Sequence, residues 1–214
     1  MKVPRHRGPT ALQGSQLKPA EDTCTVVILG VPRGGTTMVA GVAQRCGLFI
    51  GADLLGNLED KNFVNQNLQH MTAVVAERNA AMKIWGWKYP RATDYLDELL
   101  PKLRNPRLIV VWRDLLAASA RRIARGESLS QSLAMTSRIQ QKNLRLTQQV
   151  TCPVLHVSYE KAIRSPIPFA EAMAAFVGGA LPSDLAELVS FMEPGSYKPV
   201  GSGPAVQYDE AEEN

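Results

Sequence analysis

Gly30-Val31-Pro32-Arg33-Gly34-Gly35-Thr36-Thr37 holds the residue types needed to grip an anion. Glycines leave backbone N–H groups uncovered, Arg33 brings a permanent positive charge, and the paired threonines bring hydroxyls. The spacing can be set against the nucleoside-triphosphate loop pattern G-x-x-x-x-G-K-[ST]. Gly30 and Gly35 match its glycines and Thr37 its hydroxyl, but Thr36 stands where the lysine belongs. That lysine reaches the β- and γ-phosphates of a triphosphate. The run therefore reads as an anion cradle without the usual triphosphate grip. Its plainer use is a β–α turn with no ligand.

Three other places carry chemistry. Glu59 and Asp60 are adjacent carboxylates, a residue type that can move a proton, though acids in the first turn of a helix also simply complement its dipole. Lys88 closes the apolar run Ile84 to Lys88, at a strand end where open α/β sheets place ligands. Arg113 follows the clearest buried-strand run, Arg107 to Trp112. A guanidinium fork there can share the oxygens of a phosphate.

The elements that must position these groups alternate. Thr25 to Leu29 reads as a buried strand, followed by a helix from Thr36 with Met38, Val39, Val42 and Ala43 on one face and Gly47 as its stop. Asn57 is the expected N-cap of a long helix running to about Met82, with Asp60 at the capping-box position. Strands over 84–88, 107–112 and 153–159 then alternate with helical patterns after Tyr95, over 115–125 and 127–150, and over 169–177. This order predicts an α/β fold with a mainly parallel central sheet flanked by helices.

In the same order, the segments resemble those of bacterial-type sulfotransferases that use 3′-phosphoadenosine 5′-phosphosulfate (PAPS). Residues 32–37 are similar to that family's 5′-phosphosulfate loop, and residues 59–67 resemble its Glu-Asp-x-x-Phe-x-x-x-Asn segment. Trp-x-x-Lys-x-Pro at 85–90, Leu-Ile-Val-Val-x-Arg-Asp at 108–114 and Val-x-Tyr-Glu-x-x-x-x-x-Pro at 157–166 continue the likeness. The resemblance implies a P-loop-like three-layer fold and transfer of a sulfuryl group to a hydroxyl or amine of a small-molecule or glycan acceptor. PAPS is the implied donor and PAP the product, with no metal.

Arg33, Gly34, Gly35, Thr36 and Thr37 are the implied 5′ site, and Arg113 with Ser119 or Arg121 the implied 3′-phosphate site. The family's serine usually lies eight residues after its arginine, where this chain has Arg121; Ser119 lies six after Arg113. Glu59, Lys88 and Arg33 are the implied catalytic groups. Tyr159 and Glu160 are read as structural, and Lys198 as a residue within reach of the nucleotide. Two other readings stay open: a nucleoside-triphosphate-dependent small-molecule kinase with a degenerate loop, and a catalytically silent nucleotide-binding module.

Composition narrows the field. The 214 residues suit one α/β domain, expected over 23–200 between a flexible arm (1–22) and a flexible acidic tail (201–214). Residues 209–214 hold four acids and no base, while residues 23–208 hold 20 bases and 14 acids, a balance that favours anionic ligands. Aromatics at 6% argue against base-stacking platforms, and no recognition motif accompanies the basic excess, so no nucleic-acid partner is expected. Cys24, Cys46 and Cys152 read as buried free thiols, and the three histidines show no metal-ligand spacing. With no apolar run of membrane-spanning length, a cytoplasmic protein without membrane contact is expected.

Overall fold

The structure, a computed structural model, describes residues 8–13 and 23–194. A five-stranded sheet has the order β1-β5-β4-β2-β3. Its strands are β1 (Thr10–Gln13), β2 (Cys24–Gly30), β3 (Ile84–Lys88), β4 (Pro106–Trp112) and β5 (Val154–Ser158). β5, β4, β2 and β3 run parallel, and β1 lies antiparallel along β5. Every residue of β2 is buried. A parallel strand covered on both faces shows a continuous apolar run rather than alternation, which is the Val26-Val27-Ile28-Leu29 pattern.

Successive residues of the strands point to opposite faces and build two cores. Val26, Ile28, Ile109 and Val111 pack with α1 (Thr36–Arg45), α7 (Pro166–Val177) and α8 (Leu185–Met192). Val27, Leu29, Leu108 and Val110 pack instead with Trp85, Trp87 and residues of α2 (Leu68–Ala81), α3 (Leu96–Leu99) and α5 (Leu129–Gln149). α4 (Leu115–Ile123) lies along α5, and α6 (Tyr159–Arg164) continues directly from β5. The result is the expected layered α/β architecture with helices on both faces of the sheet.

Three elements differ from the sequence reading. The helix expected from Asn57 starts only at Leu68, where Asn67 accepts a hydrogen bond from the His70 N–H at 2.8 Å. Leu58 (φ 64°) and Asn65 (φ 53°) adopt left-handed backbone, which interrupts a right-handed helix, so residues 57–67 form a loop with one 3₁₀ turn at Lys61–Phe63. Within the segment read as a flexible arm, Thr10–Gln13 is an edge strand, paired from Thr10↔Val157 to Gln13↔Val154. Its short polar sequence has no periodicity to announce it. The third is α8, which the sequence reading did not place.

Cys24 and Cys46 are buried free thiols as expected, and Cys152 is free but only half-buried. Burial pushes the thiols of Cys46 and Cys152 up to about 11. Among the described residues, no helix is long and apolar enough to cross a membrane. Lys198, most of the arm and the acidic tail lie outside the described residues.

Candidate active site

From β2 the chain proceeds to β3 on one side, and from β4 to β5 on the other. Connections diverge between β2 and β4, and such a crevice at the carboxyl ends of strands is where open α/β sheets take ligands. The loops leaving both strands meet there: Arg113 donates from Nη1 to the Arg33 carbonyl oxygen at 2.7 Å.

The loop after β2 owes its glycines partly to its own packing. Gly34 donates to the Val31 carbonyl at 2.9 Å, and a Cβ on Gly34 would lie 2.7 Å from that oxygen. Gly35 has φ 88°, and a Cβ there would lie 2.1 Å from the Tyr159 ring. As the N-cap of α1 it offers no side-chain cap. The first-turn N–H groups, which have no intrahelical acceptors in any α-helix, thus receive no side-chain cap from Gly35 and lie at the positive end of the helix dipole. Thr36 is buried, while the Thr37 hydroxyl donates to the Asn57 carbonyl at 3.1 Å. That bond ties the glycine loop after β2 to the segment carrying Glu59.

Glu59 is held on several sides. Its N–H donates to Asn57 Oδ1 at 3.2 Å, and its carbonyl accepts from the Leu55 N–H at 2.8 Å. Asp60, fully buried, pairs with Arg78 at 2.6 Å and accepts from the backbone and side chain of Asn62. The Arg78 guanidinium lies among the rings of Phe49, Phe63 and Trp85. Tyr95 donates to the Phe63 carbonyl and accepts from Trp87 Nε1, linking the same loop to β3.

The Glu59 carboxylate meets Lys88, the last residue of β3. Nζ and Oε1 are 2.8 Å apart, and both side chains are 1% exposed. Burial pushes the Lys88 pKa down; Glu59 opposes that shift, and the nearby positive charge of Arg33 adds to it. The fold thus brings Arg33, Lys88 and Glu59, from three separate segments, to one electrostatic neighbourhood beside the start of α1. A buried ion pair of this kind is weak evidence for stability, because desolvation offsets most of its attraction.

Arg113 and Ser119 do not converge. The Arg113 guanidinium lies 4.4 Å over the Tyr159 ring and 3.8 Å from a Glu160 carboxylate oxygen, beside the glycine loop after β2. Ser119, assigned to the 3′-phosphate with Arg113, is fully buried between α4 and α5. Its hydroxyl bonds to the Ser132 carbonyl at 3.1 Å and the Thr136 hydroxyl at 2.7 Å. An α4 residue six positions beyond Arg113 faces the partner helix, so Ser119 is a seam residue. Arg121 lies on α4, and its side chain is outside what the structure describes.

Two supporting residues escaped the sequence reading. Arg78 was not singled out in the sequence, and no local pattern announces its burial against Asp60. Asn57, read as a helix cap, instead orients Glu59 and receives Thr37. Tyr159 and Glu160, read mainly as structural, make packing and backbone contacts, the tyrosine under Gly35 and the glutamate accepting from the Asp114 N–H at 3.1 Å. Among the described residues, no group of three His, Cys, Asp or Glu side chains is placed to hold a metal ion.

Comparison with solved structures gives a match to the sulfotransferase domain from the Synechococcus PCC 7002 olefin synthase. The TM-score is 0.56 at 17% sequence identity, over 86% of this chain and 82% of that one. The chain has the fold of that domain. No family model matches this sequence, and comparison with curated proteins gives no significant match.

Proposed function

We propose that this protein is a PAPS-dependent sulfotransferase acting on a hydroxyl or amine of a small-molecule or glycan acceptor. The observation that carries the reading is the convergence of Arg33, Lys88 and Glu59 beside the uncapped start of α1, in a sulfotransferase-like fold. The chain's groups fit an anionic nucleotide donor at its 5′ end. Because the Gly34 N–H is committed to Val31, the 5′-phosphate falls to the N–H groups of Gly35, Thr36 and Thr37. Arg113, beside the same loop, is our candidate for the 3′-phosphate, with Arg121 rather than the buried Ser119 as the second group.

The donor supplies a sulfuryl group: a bond forms from the acceptor oxygen or nitrogen to sulfur, the bridging S–O bond breaks, and its electron pair stays on the 5′-phosphate. Arg33 and Lys88 stabilise negative charge growing on the transferred and departing oxygens. Glu59 takes the acceptor's proton, a contribution of about 10²–10⁴-fold for a positioned base.

Calorimetry with PAP, 5′-AMP and magnesium-ATP tests the donor class without an acceptor. PAP is expected to bind far more tightly than 5′-AMP. Arg113→Ala should remove about 1.5–3 kcal/mol from PAP binding and little from 5′-AMP. Tighter binding of magnesium-ATP than of PAP would overturn the reading in favour of a kinase.

A further inference from the structure

We infer that Lys88 changes partners during the reaction cycle: Glu59 holds it in the free enzyme, and the anionic donor takes it over, releasing the Glu59 carboxylate to act as base. The inference rests on the donor reading above. A carboxylate 1% exposed, with an ammonium 2.8 Å away, is poorly placed to receive a proton from an acceptor. Its Oε1 is occupied by the Lys88 ammonium until something else draws that lysine away. Arg33, whose charge already bears on Lys88, brings the donor's phosphosulfate to the same neighbourhood.

The surroundings favour a side-chain exchange over a loop movement. Glu59's backbone is fixed at both N–H and carbonyl, and Asp60 is clamped by Arg78. Thr37 joins the carrier loop to α1. Lys88 ends a strand whose register with β2 reaches Ile28↔Lys88, so its backbone is equally fixed. What remains adjustable is the pair of side chains. Such an exchange couples donor binding to base activation: without donor, no free carboxylate is presented to an acceptor.

The exchange makes a prediction opposite in sign for binding and turnover. In the free enzyme Glu59 competes with the donor for Lys88, so Glu59→Gln should bind PAP about tenfold more tightly while losing turnover. A residue holding only the shape of the site would weaken PAP or leave it unchanged. Glu59→Asp keeps the charge, folds with its lysine still countered, and loosens the pair by one methylene; it should tighten PAP severalfold. The double variant Glu59→Gln with Lys88→Met leaves neither buried charge unpaired and should lose the gain seen in Glu59→Gln. Calorimetric PAP affinities of these proteins, each checked for folding by thermal melting, decide the matter. Unchanged or weaker PAP binding by Glu59→Asp overturns the exchange, as does tightening that persists in the double variant. Absence of PAP binding by the wild-type protein overturns the donor reading itself, and the exchange with it.

Discussion

Arg33 is both a functional candidate and a strained residue. Its φ of 65° places a long side chain in the left-handed region that glycine tolerates and other residues enter at a cost of about 1–2 kcal/mol. Strain of this kind persists where surrounding structure enforces it, and it often marks a site. Arg33→Gly should therefore lower turnover more than PAP affinity, as expected for a charge acting on the transition state, while raising the melting temperature by a few degrees. Loss of both turnover and stability would mean that the arginine holds the loop together. The type of residue 33 was legible in the sequence, since a lone cation among glycines stands out. Its backbone strain was not, because no local pattern distinguishes an arginine forced to positive φ.

At the scale of elements, the α4–α5 hairpin shows how a motif can mislead. Ser119 drew attention through its nearness in sequence to Arg113, yet helical periodicity turns it into the seam with Ser132 and Thr136. Ser119→Ala should cost about 1–3 kcal/mol of stability, by leaving those buried partners short of a hydrogen bond. The ratio of PAP to 5′-AMP affinity should stay unchanged, and a selective loss of PAP binding would restore the phosphate role. The β2–α1 and β4–α4 units were legible because glycine turns and apolar runs are local signals. The 57–67 loop was misread as helix because Asn57 and Asp60 satisfy a capping pattern, while tertiary bonds to Thr37 and Arg78 decide their conformation. Asn67, which does cap α2, lay within the resemblance motif and was not read as a cap.

For the whole molecule, the sheet was legible where strands are buried on both faces, the edge strand β3 included, and illegible at its β1 edge. β1 is four residues of modest β-propensity, and only pairing with β5 makes it a strand. One residue of β5 links this edge to the rest of the sheet and to pH. His156 accepts a hydrogen bond at Nδ1 from Trp112 Nε1 at 2.9 Å, and burial lowers its pKa. The unfolded chain then binds the proton more readily than the folded one, starting near the ordinary value of about 6.5. Stability should be flat in pH above that value and fall below it, with this contribution absent from His156→Leu; melting temperatures of both proteins from pH 5 to 8 provide the check. Equal slopes would remove His156 from the account. The tryptophans of β3 carry a different consequence. Trp85 and Trp87 stack at 5.7 Å with a 27° angle between their planes, Phe63 lies 4.2 Å from Trp87, and the Arg78 charge sits 5.4 Å over Trp85. Two indoles so close and inclined share their electronic excitation, giving paired circular-dichroism bands of opposite sign. The chain therefore carries its own optical reporter, set in the strand that ends at Lys88, and if the proposed donor draws on that lysine, titrating PAP should perturb the bands without any added label.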